Sequence, residues 1–505
     1  MMIEEELLHL RQENALLREV VDQQRETIAL QQERLRLQDA QLMKSQAIIE
    51  HLEQQLEALK RDVERLQKQL KKDSHNSHLP PSSDRFHRQP KSLRSKSGRA
   101  SGVQSGHQGH TLMLIDQPDQ VIVHTVDHCH HCLTPLHHAP ALALERRQII
   151  DLPTKRAVVI EHQSQAKWCP SCQSLSQAPF PSSVRAQVQY SDAFAALAVY
   201  LVQYQLLPYE RSCELLHDVF GHAMSPGTLT TLIQRCAKQL EPVEILLREA
   251  LCAQKVIHQD ETGCHVGKHN WWVHVTCTAQ LTWYVIHAKR GATALHDMNL
   301  LAHFIGVSVH DGWKSYRQFA CGHALCNVHH LRELTCLAED WNQAWAAEMK
   351  ELLLQMKAHV EDAKASGQAT LPARLYRCLR NQYSAIVLKG YQANMLDPPA
   401  EMSPPKRGRP KQSVALNLLD RLCQQEEAVL TFLYDFAVPF DNSQAERDVR
   451  MIKVQQKVSG CFRSIAGAQA FCRIRSYLST MRKQGQPLLA ALESTFTGEL
   501  VLPAF

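Results

Sequence analysis

The stretch KVIHQDETG, residues 255–263, closes a short apolar run on Asp260 and reads as a strand that delivers a carboxylate at its end. Just after it, NWWVHVTCTAQ (270–280) and LTWYVIHAKRG (281–291) pair as a β-hairpin pattern, and GVSVHDGWKSY (306–316) puts Asp311 at the end of a further strand. A helical stretch broken by a polar loop occupies about 330–437. After it comes DNSQAERDVRMIKVQQKV (441–458), where Glu446, Arg450, Lys453 and Lys457 follow at helical steps of four, three and four and share one face. Two carboxylates at the ends of neighbouring strands and a third from a packed helix can hold two divalent ions about 4 Å apart. Such ions activate an attacking oxygen and stabilise the leaving oxygen of a phosphodiester, while Lys and Arg on the same helical face suit the flanking phosphates. A single strand-end Asp is weak evidence, because Asp commonly caps turns. Asp441 and Asp448 compete for the third place, but Asp448 lies about 200° around the helix from Glu446 and Asp441 suits the helix start.

Upstream the chain changes character several times. Residues 3–70 keep a seven-residue register, with Leu7, Asn14, Val21, Ile28, Leu35 and Leu42 in one series and Ile3, Leu10, Leu17 and later Leu52, Leu59 and Leu66 in the other. About ten heptads without Gly or Pro predict a coiled coil, and β-branched residues and Leu at a with Leu at d favour a parallel homodimer. From Lys71 to Ala100 the composition turns to Ser, His, Pro and basic residues, too polar for a core and suited to a flexible arm that meets phosphate. Cys129 and Cys132, then Cys169 and Cys172, form two CxxC pairs; together they predict a closed, structural Zn²⁺ site of four cysteines. Ser225 and Pro226 suit the start of a second helix after Tyr209 to Val219 and Gly221, which fits a DNA-reading helix-turn-helix or a plain helical connector.

The bulk numbers narrow the class. A chain of 505 residues exceeds one core and predicts several folded units. A net charge of +5 is modest for a nucleic-acid binder, so local distribution has to carry that argument. No stretch approaches about 18 apolar residues, which excludes a membrane span, and the opening residues lack a secretory pattern, so a cytoplasmic protein is expected. Sixteen Cys in that setting read as metal ligands and core residues rather than a disulfide framework.

The coiled coil, PPSSD (80–84), the two CxxC pairs, DETG (260–263), HDGWKSY (310–316) and DNSQAER (441–447) together resemble the IS66 family of insertion-sequence transposases along nearly the full chain. The resemblance implies an RNase H-like catalytic domain in which Asp260, Asp311 and Glu446 are the catalytic acids for Mg²⁺ or Mn²⁺. Lys453 then stands at the offset of the basic residue that often follows the Glu, with Arg450 and Lys457 toward DNA. It implies binding of terminal inverted repeats, hydrolysis to free 3′-OH groups, strand transfer into target DNA, and help from small accessory proteins of the same element. Cys326 and His329 resemble a C-x-x-H element found between the second and third acids of many such enzymes; a second zinc site drawn from Cys321, His323, Cys326, His329 and His330 is the alternative. PKRGRPK (405–411) places Arg407 and Arg409 around a Gly, as a minor-groove binder does, or forms a solvated basic loop.

The expected fold class is multidomain. It comprises a coiled coil (1–72), a basic flexible linker (73–110), a small zinc-binding β module (111–185) and a helical DNA-binding region (186–250). An α/β RNase H-like catalytic domain (251–485), with a mainly helical insertion at about 330–437, and a C-terminal tail (486–505) complete it. The rival expectations are a non-enzymatic zinc-containing DNA-binding protein, in which the acids are only caps, and an inactive or domesticated transposase.

Overall fold

The computed structural model describes residues 2–70, 114, 116–118, 120–124, 127–128, 131–138, 146–148, 157–168, 170, 172, 174–395 and 412–505. The basic arm expected at 73–110, Cys129, Cys169, Arg407 and Arg409 lie outside the described residues.

Residues Met2–Leu70 form one helix of 69 residues, α1, with Glu4 and Glu5 in its first turn, where carboxylates complement the helix dipole. Leu7, Val21, Ile28, Leu35, Ile49 and Leu56 of its heptad series stand 44–58% exposed on the single chain. An isolated helix gains little from such a stripe, because helical stability in proteins comes mainly from covering the apolar face.

A short antiparallel hairpin follows, β1 (Ala166–Trp168) and β2 (Leu175–Gln177), and Cys172 sits in its connection. Cys132 occupies a similar bend, closed by the His128–Pro135 bridge and by the Leu136 amide donating to Asp127 O at 2.9 Å. Both thiols have a hydroxyl two residues on, Thr134 Oγ1 at 3.2 Å and Ser174 Oγ at 2.9 Å.

Four helices come next: α2 (Asp192–Gln203), α3 (Tyr209–Phe220), α4 (Pro226–Gln239) and α5 (Glu241–Cys252). Gly221 ends α3 at φ 68°, the left-handed conformation that lacks a Cβ penalty for glycine. Ser225 caps α4 by accepting from the Thr228 amide, with Pro226 at the first helical position.

The chain then builds a five-stranded mixed sheet: β3 (Val256–Val266), β4 (His269–Cys277), β5 (Thr282–His287), helix α6 (Ala292–Met298), β6 (Val307–His310) and β7 (Gly322–Leu325). The spatial order is β5-β4-β3-β6-β7, antiparallel on the β3-β4-β5 side and parallel on the β3-β6-β7 side. Gly306 makes the parallel crossover tight, because a Cβ there would stand 2.7 Å from Gln254 O and 2.6 Å from the Phe304 ring.

Helices α7 (Asn327–Asp340), α8 (Ala344–Ala365), α9 (Ala373–Met395), α10 (Val414–Gln424) and α11 (Glu426–Tyr434) separate the sheet from α12 (Ser443–Ser459). They are followed by α13 (Ile465–Lys483) and α14 (Leu488–Thr497). One face of β3-β4-β5 packs Cys264, Val273, Val275 and Ile286 against Ala445, Val449 and Ile452 of α12 and Phe471 of α13. On edge strand β5, Tyr284 N donates to Ser476 Oγ at 2.8 Å and Thr282 N to Thr480 Oγ1 at 3.0 Å. Side chains of α13 thus satisfy amides that an open edge would leave for another strand.

Two differences from the sequence reading concern boundaries. Residues 486–505, expected as a tail, contain α14, whose Leu492 and Phe496 are buried in a core shared with α2, α4 and α13. The helices of 186–250 share that same core with Ile257, Trp283 and Tyr316 of the sheet region, so hydrophobic packing joins them across residue 250. Among the described residues, no helix is long and apolar enough to cross a membrane.

Candidate active site

Parallel pairing of β3 with β6 sets His258 opposite Val309. Asp260 and Asp311 each stand two residues beyond that pair, Asp260 further along β3 and Asp311 just past the end of β6, so both leave the same parallel register, in which strands lie about 4.8 Å apart. Asp260 Oδ1 accepts from the Glu261 amide at 2.8 Å, and Asp311 Oδ1 accepts from the Trp313 amide at 3.0 Å across a bend made possible by Gly312 at φ 90°. Glu446 lies in the first turn of α12, half-buried, with its Oε1 4.0 Å from Cys326 Sγ and 3.9 Å from His329 Nδ1.

The neighbouring charges register in the protonation of Asp260 and Glu446. Burial pushes the Asp260 carboxyl well above the usual carboxylate range, and Glu261, Asp311 and Glu446 add to the rise. Glu446 is raised first by burial and also by Asp441 and Asp311, against the guanidinium groups of Arg332 and Arg450. Burial likewise lifts the Cys326 thiol to about 12, with Glu446 the next cause.

Asn442, 1% exposed, locks the start of α12 onto the sheet. Its Nδ2 donates to Gln259 O at 2.7 Å, its Oδ1 meets His258 Nδ1 at 2.9 Å, and its amide donates to Cys326 Sγ at 3.2 Å. Gln259 in turn accepts from Ser308 Oγ at 2.7 Å, tying β3 to β6 beneath the two aspartates. The clip, with Asp441 Oδ1 accepting from the Ser443 amide at 2.9 Å, fixes where Glu446 enters the cluster.

On the opposite face of β3, Glu261 is buried between Tyr316 and Arg290: the Tyr316 hydroxyl donates to Oε2 at 2.6 Å and Arg290 Nε to Oε1 at 2.9 Å. The Arg290 guanidinium is stacked over the Trp313 ring at 4.0 Å and the Trp272 ring at 5.0 Å. Burial first and Asp311 second raise the Glu261 carboxyl, opposed by the Tyr316 and Arg290 bonds.

The family model described as Transposase IS66 family matches residues 187–470, which run from just before α2 into α13 and include every strand of the sheet and all three acids. The chain belongs to the IS66 transposase family. A family of unknown function (DUF6444) matches residues 22–113, overlapping most of α1. No curated protein is similar enough to the chain to count as a match. IS66 membership gives the chain a transposase role, and the geometry says where each residue singled out in the sequence stands.

Asp260 feels the charges of Asp311 and Glu446, and Glu446 that of Asp311, but among the described residues it is Cys326 and His329 whose donor atoms gather with Glu446 within 4.8 Å, not the three acids with one another. Asp448 turns away and pairs with Lys483 at 2.7 Å. Lys453 Nζ donates to Gly263 O at 2.5 Å, three residues beyond Asp260 on β3, while Arg450 and Lys457 are exposed along α12. The five-residue zinc alternative does not assemble: His323 Nδ1 meets His310 Nε2 at 3.1 Å and His330 Nδ1 meets Asn327 Oδ1 at 3.0 Å. Sequence reading missed Glu261, Arg290 and Asn442. The signal for Glu261 was present in the alternation of β3, which points it away from Asp260, but Arg290 and Asn442 reach β3 only through the fold.

Proposed function

We propose that the chain is a DDE transposase, a nuclease and DNA strand-transferase, in which Asp260, Asp311 and Glu446 hold Mg²⁺ or Mn²⁺ beside a DNA phosphodiester. Strand order and directions favour an RNase H-like catalytic domain with α7–α11 as its insertion. The observation that carries the reading is the convergence of carboxylates from β3, the residue after β6 and α12, where Asp311 and Glu446 both add to the rise of the Asp260 carboxyl and Asp311 adds to that of Glu446. Three such groups repel one another without a counter-charge, and an all-oxygen donor set suits a hard divalent cation. When bound, that cation supplies Lewis acidity to the attacking and leaving oxygens.

The chain's own residues do the rest. Asn442 and Gln259 orient the acids, Arg450 and Lys457 offer exposed charge to phosphates next to Glu446, and Lys453 braces α12 against β3 while adding positive charge. In the first step a water oxygen bonds to phosphorus as the P–O3′ bond breaks, and the proton passes to the 3′ oxygen to leave a 3′-OH. In the second, that 3′ oxygen bonds to a target phosphorus, the target's own P–O3′ bond breaks, and the displaced oxygen takes the proton.

The supporting parts follow from the same reading. α1 pairs as a homodimeric coiled coil that brings two element ends together. Cys129, Cys132, Cys169 and Cys172 hold structural Zn²⁺, in keeping with the bends at Cys132 and Cys172. Arg407 and Arg409 contact DNA within the insertion. The test is cleavage and strand transfer on DNA carrying the element's own ends, with its accessory proteins, comparing wild type with Glu446→Gln at matched zinc content and salt. Nicks with 3′-OH ends that require Mg²⁺ or Mn²⁺ and fall about 10³-fold or more in the variant support the reading. DNA binding by both proteins with cutting by neither defeats it.

A further inference from the structure

Among the described residues, Cys326, His329 and Glu446 form the one group of Cys, His and carboxylate side chains whose donor atoms all lie within 4.8 Å of one another. Cys326 directly follows β7 and His329 lies three residues on in the first turn of α7, so one helical turn presents a thiol and an imidazole side by side. Glu446 arrives from α12, 120 residues later.

We propose that these three residues form a binding site for a thiophilic divalent cation of the Zn²⁺ type. Sulfur and imidazole donors select such a cation over Mg²⁺, which prefers oxygen. The separations, 4.0 Å from Cys326 Sγ to Glu446 Oε1 and 3.9 Å from His329 Nδ1 to the same oxygen, are close to those of a tetrahedral zinc site. Bond lengths of about 2.3 Å to sulfur and 2.0–2.2 Å to nitrogen and oxygen put such donors roughly 3.3–3.6 Å apart, so the two separations to Glu446 need to contract by about half an ångström, while the thiol and imidazole lie within 4.8 Å of each other. Cys326, 1% exposed, forms the floor, whereas the His329 and Glu446 side chains are 16% and 29% exposed and leave the site open to solvent. Three protein ligands leave a fourth position for water, unlike the closed four-cysteine site proposed for Cys129, Cys132, Cys169 and Cys172. The Asn442 amide donating to Cys326 Sγ at 3.2 Å fixes the sulfur, as outer hydrogen-bond donors do in metal sites.

The metal site does not rest on the transposase reading, but one consequence does. If Glu446 is the third acid, a thiophilic cation and a hard one compete for a single carboxylate, and Zn²⁺ inhibits Mg²⁺-driven cleavage.

Metal-free full-length protein, kept reduced, would be titrated with Co²⁺ and its bound metal counted. The expected result is a thiolate-to-cobalt absorption of which a distinct part, with one metal equivalent, disappears in Cys326→Ser. That part persists when Cys132 and Cys172 are both replaced by Ser, and His329→Ala weakens it at least about 10-fold. Should Cys326→Ser lose its helical circular dichroism, the near-isosteric Glu446→Gln must lose the same equivalent. Equal metal content and identical cobalt spectra in wild type and the folded variant overturn the proposal. Absence of cleavage at any metal concentration would count against the three-acid reading alone, since the metal count judges this site without DNA.

Discussion

Asp260 and Glu261 are sequence neighbours on opposite faces of β3, and the fold treats their charges differently. Glu261 has a guanidinium and a hydroxyl as partners, whereas Asp260 faces other carboxylates. Because the folded state raises the Asp260 pKa, it favours the protonated form. Its ionisation therefore costs stability progressively as pH rises from the unfolded value through the folded one, and the full penalty is present above both. Asp260→Asn should raise the melting temperature of chelator-treated protein at pH 7 by a few degrees, and the gain should vanish near pH 3. Mg²⁺ should stabilise wild type more than the variant, which differential scanning calorimetry would read. Glu261 gives a second test. Arg290→Met leaves a carboxylate of 2% side-chain exposure without its cation and should cost about 3 kcal/mol in urea unfolding, while Glu261→Gln should cost clearly less. Equal costs would mean that Arg290 contributes through its Trp272 and Trp313 stacking rather than its charge.

At the scale of elements, the short crossover into β6 controls where Asp311 lies. Gly306→Ala drives a Cβ against the backbone oxygens of Lys255 and Gln254, so β6 must shift from β3. The expected outcome is a loss of about 1–3 kcal/mol in stability and a fall in cleavage larger than that loss explains, because Asp311 moves with its strand. An Ala variant with wild-type cleavage would separate β6 placement from the reaction. Elements with local signals were legible in the sequence: Ser225 and Pro226 opening α4, the alternation that pairs β4 with β5, and the helical step from Glu446 to Lys453. The two aspartates were legible as strand ends, and β6 does stop at His310, one residue before Asp311; Asp260 lies in mid-β3 because that strand continues to Val266 with β4 alone. What sequence could not supply were pairings across more than 100 residues, such as Asn442 with Gln259 or α14 with α2. Neither partner carries a periodicity that names the other, and α14, only ten residues long, reads in isolation as a tail.

For the molecule as a whole, α1 is the part least explained by a single chain. A helix of 69 residues with its heptad positions open to water should find a second copy. Removal of residues 1–72 should convert the protein from dimer to monomer in light scattering, leaving the far-UV signal of the remaining helices intact. A dimer that survives the truncation would place the contact elsewhere. The arrangement of the sheet also has a consequence in time. Gln259 waits 183 residues for Asn442, and the amides of Tyr284 and Thr282 wait 192 and 198 residues for the hydroxyls of Ser476 and Thr480. At roughly 5–20 residues per second a ribosome needs about 10–40 s to bridge that gap. A nascent or prematurely stopped chain therefore carries its aspartates without the helix that completes them, and its β5 edge stays unshielded until the last turns of α13 emerge. Translation itself keeps Asp260 and Asp311 apart from Glu446 until α12 has emerged, so fragments released before that point would carry an open β5 edge and be prone to aggregate.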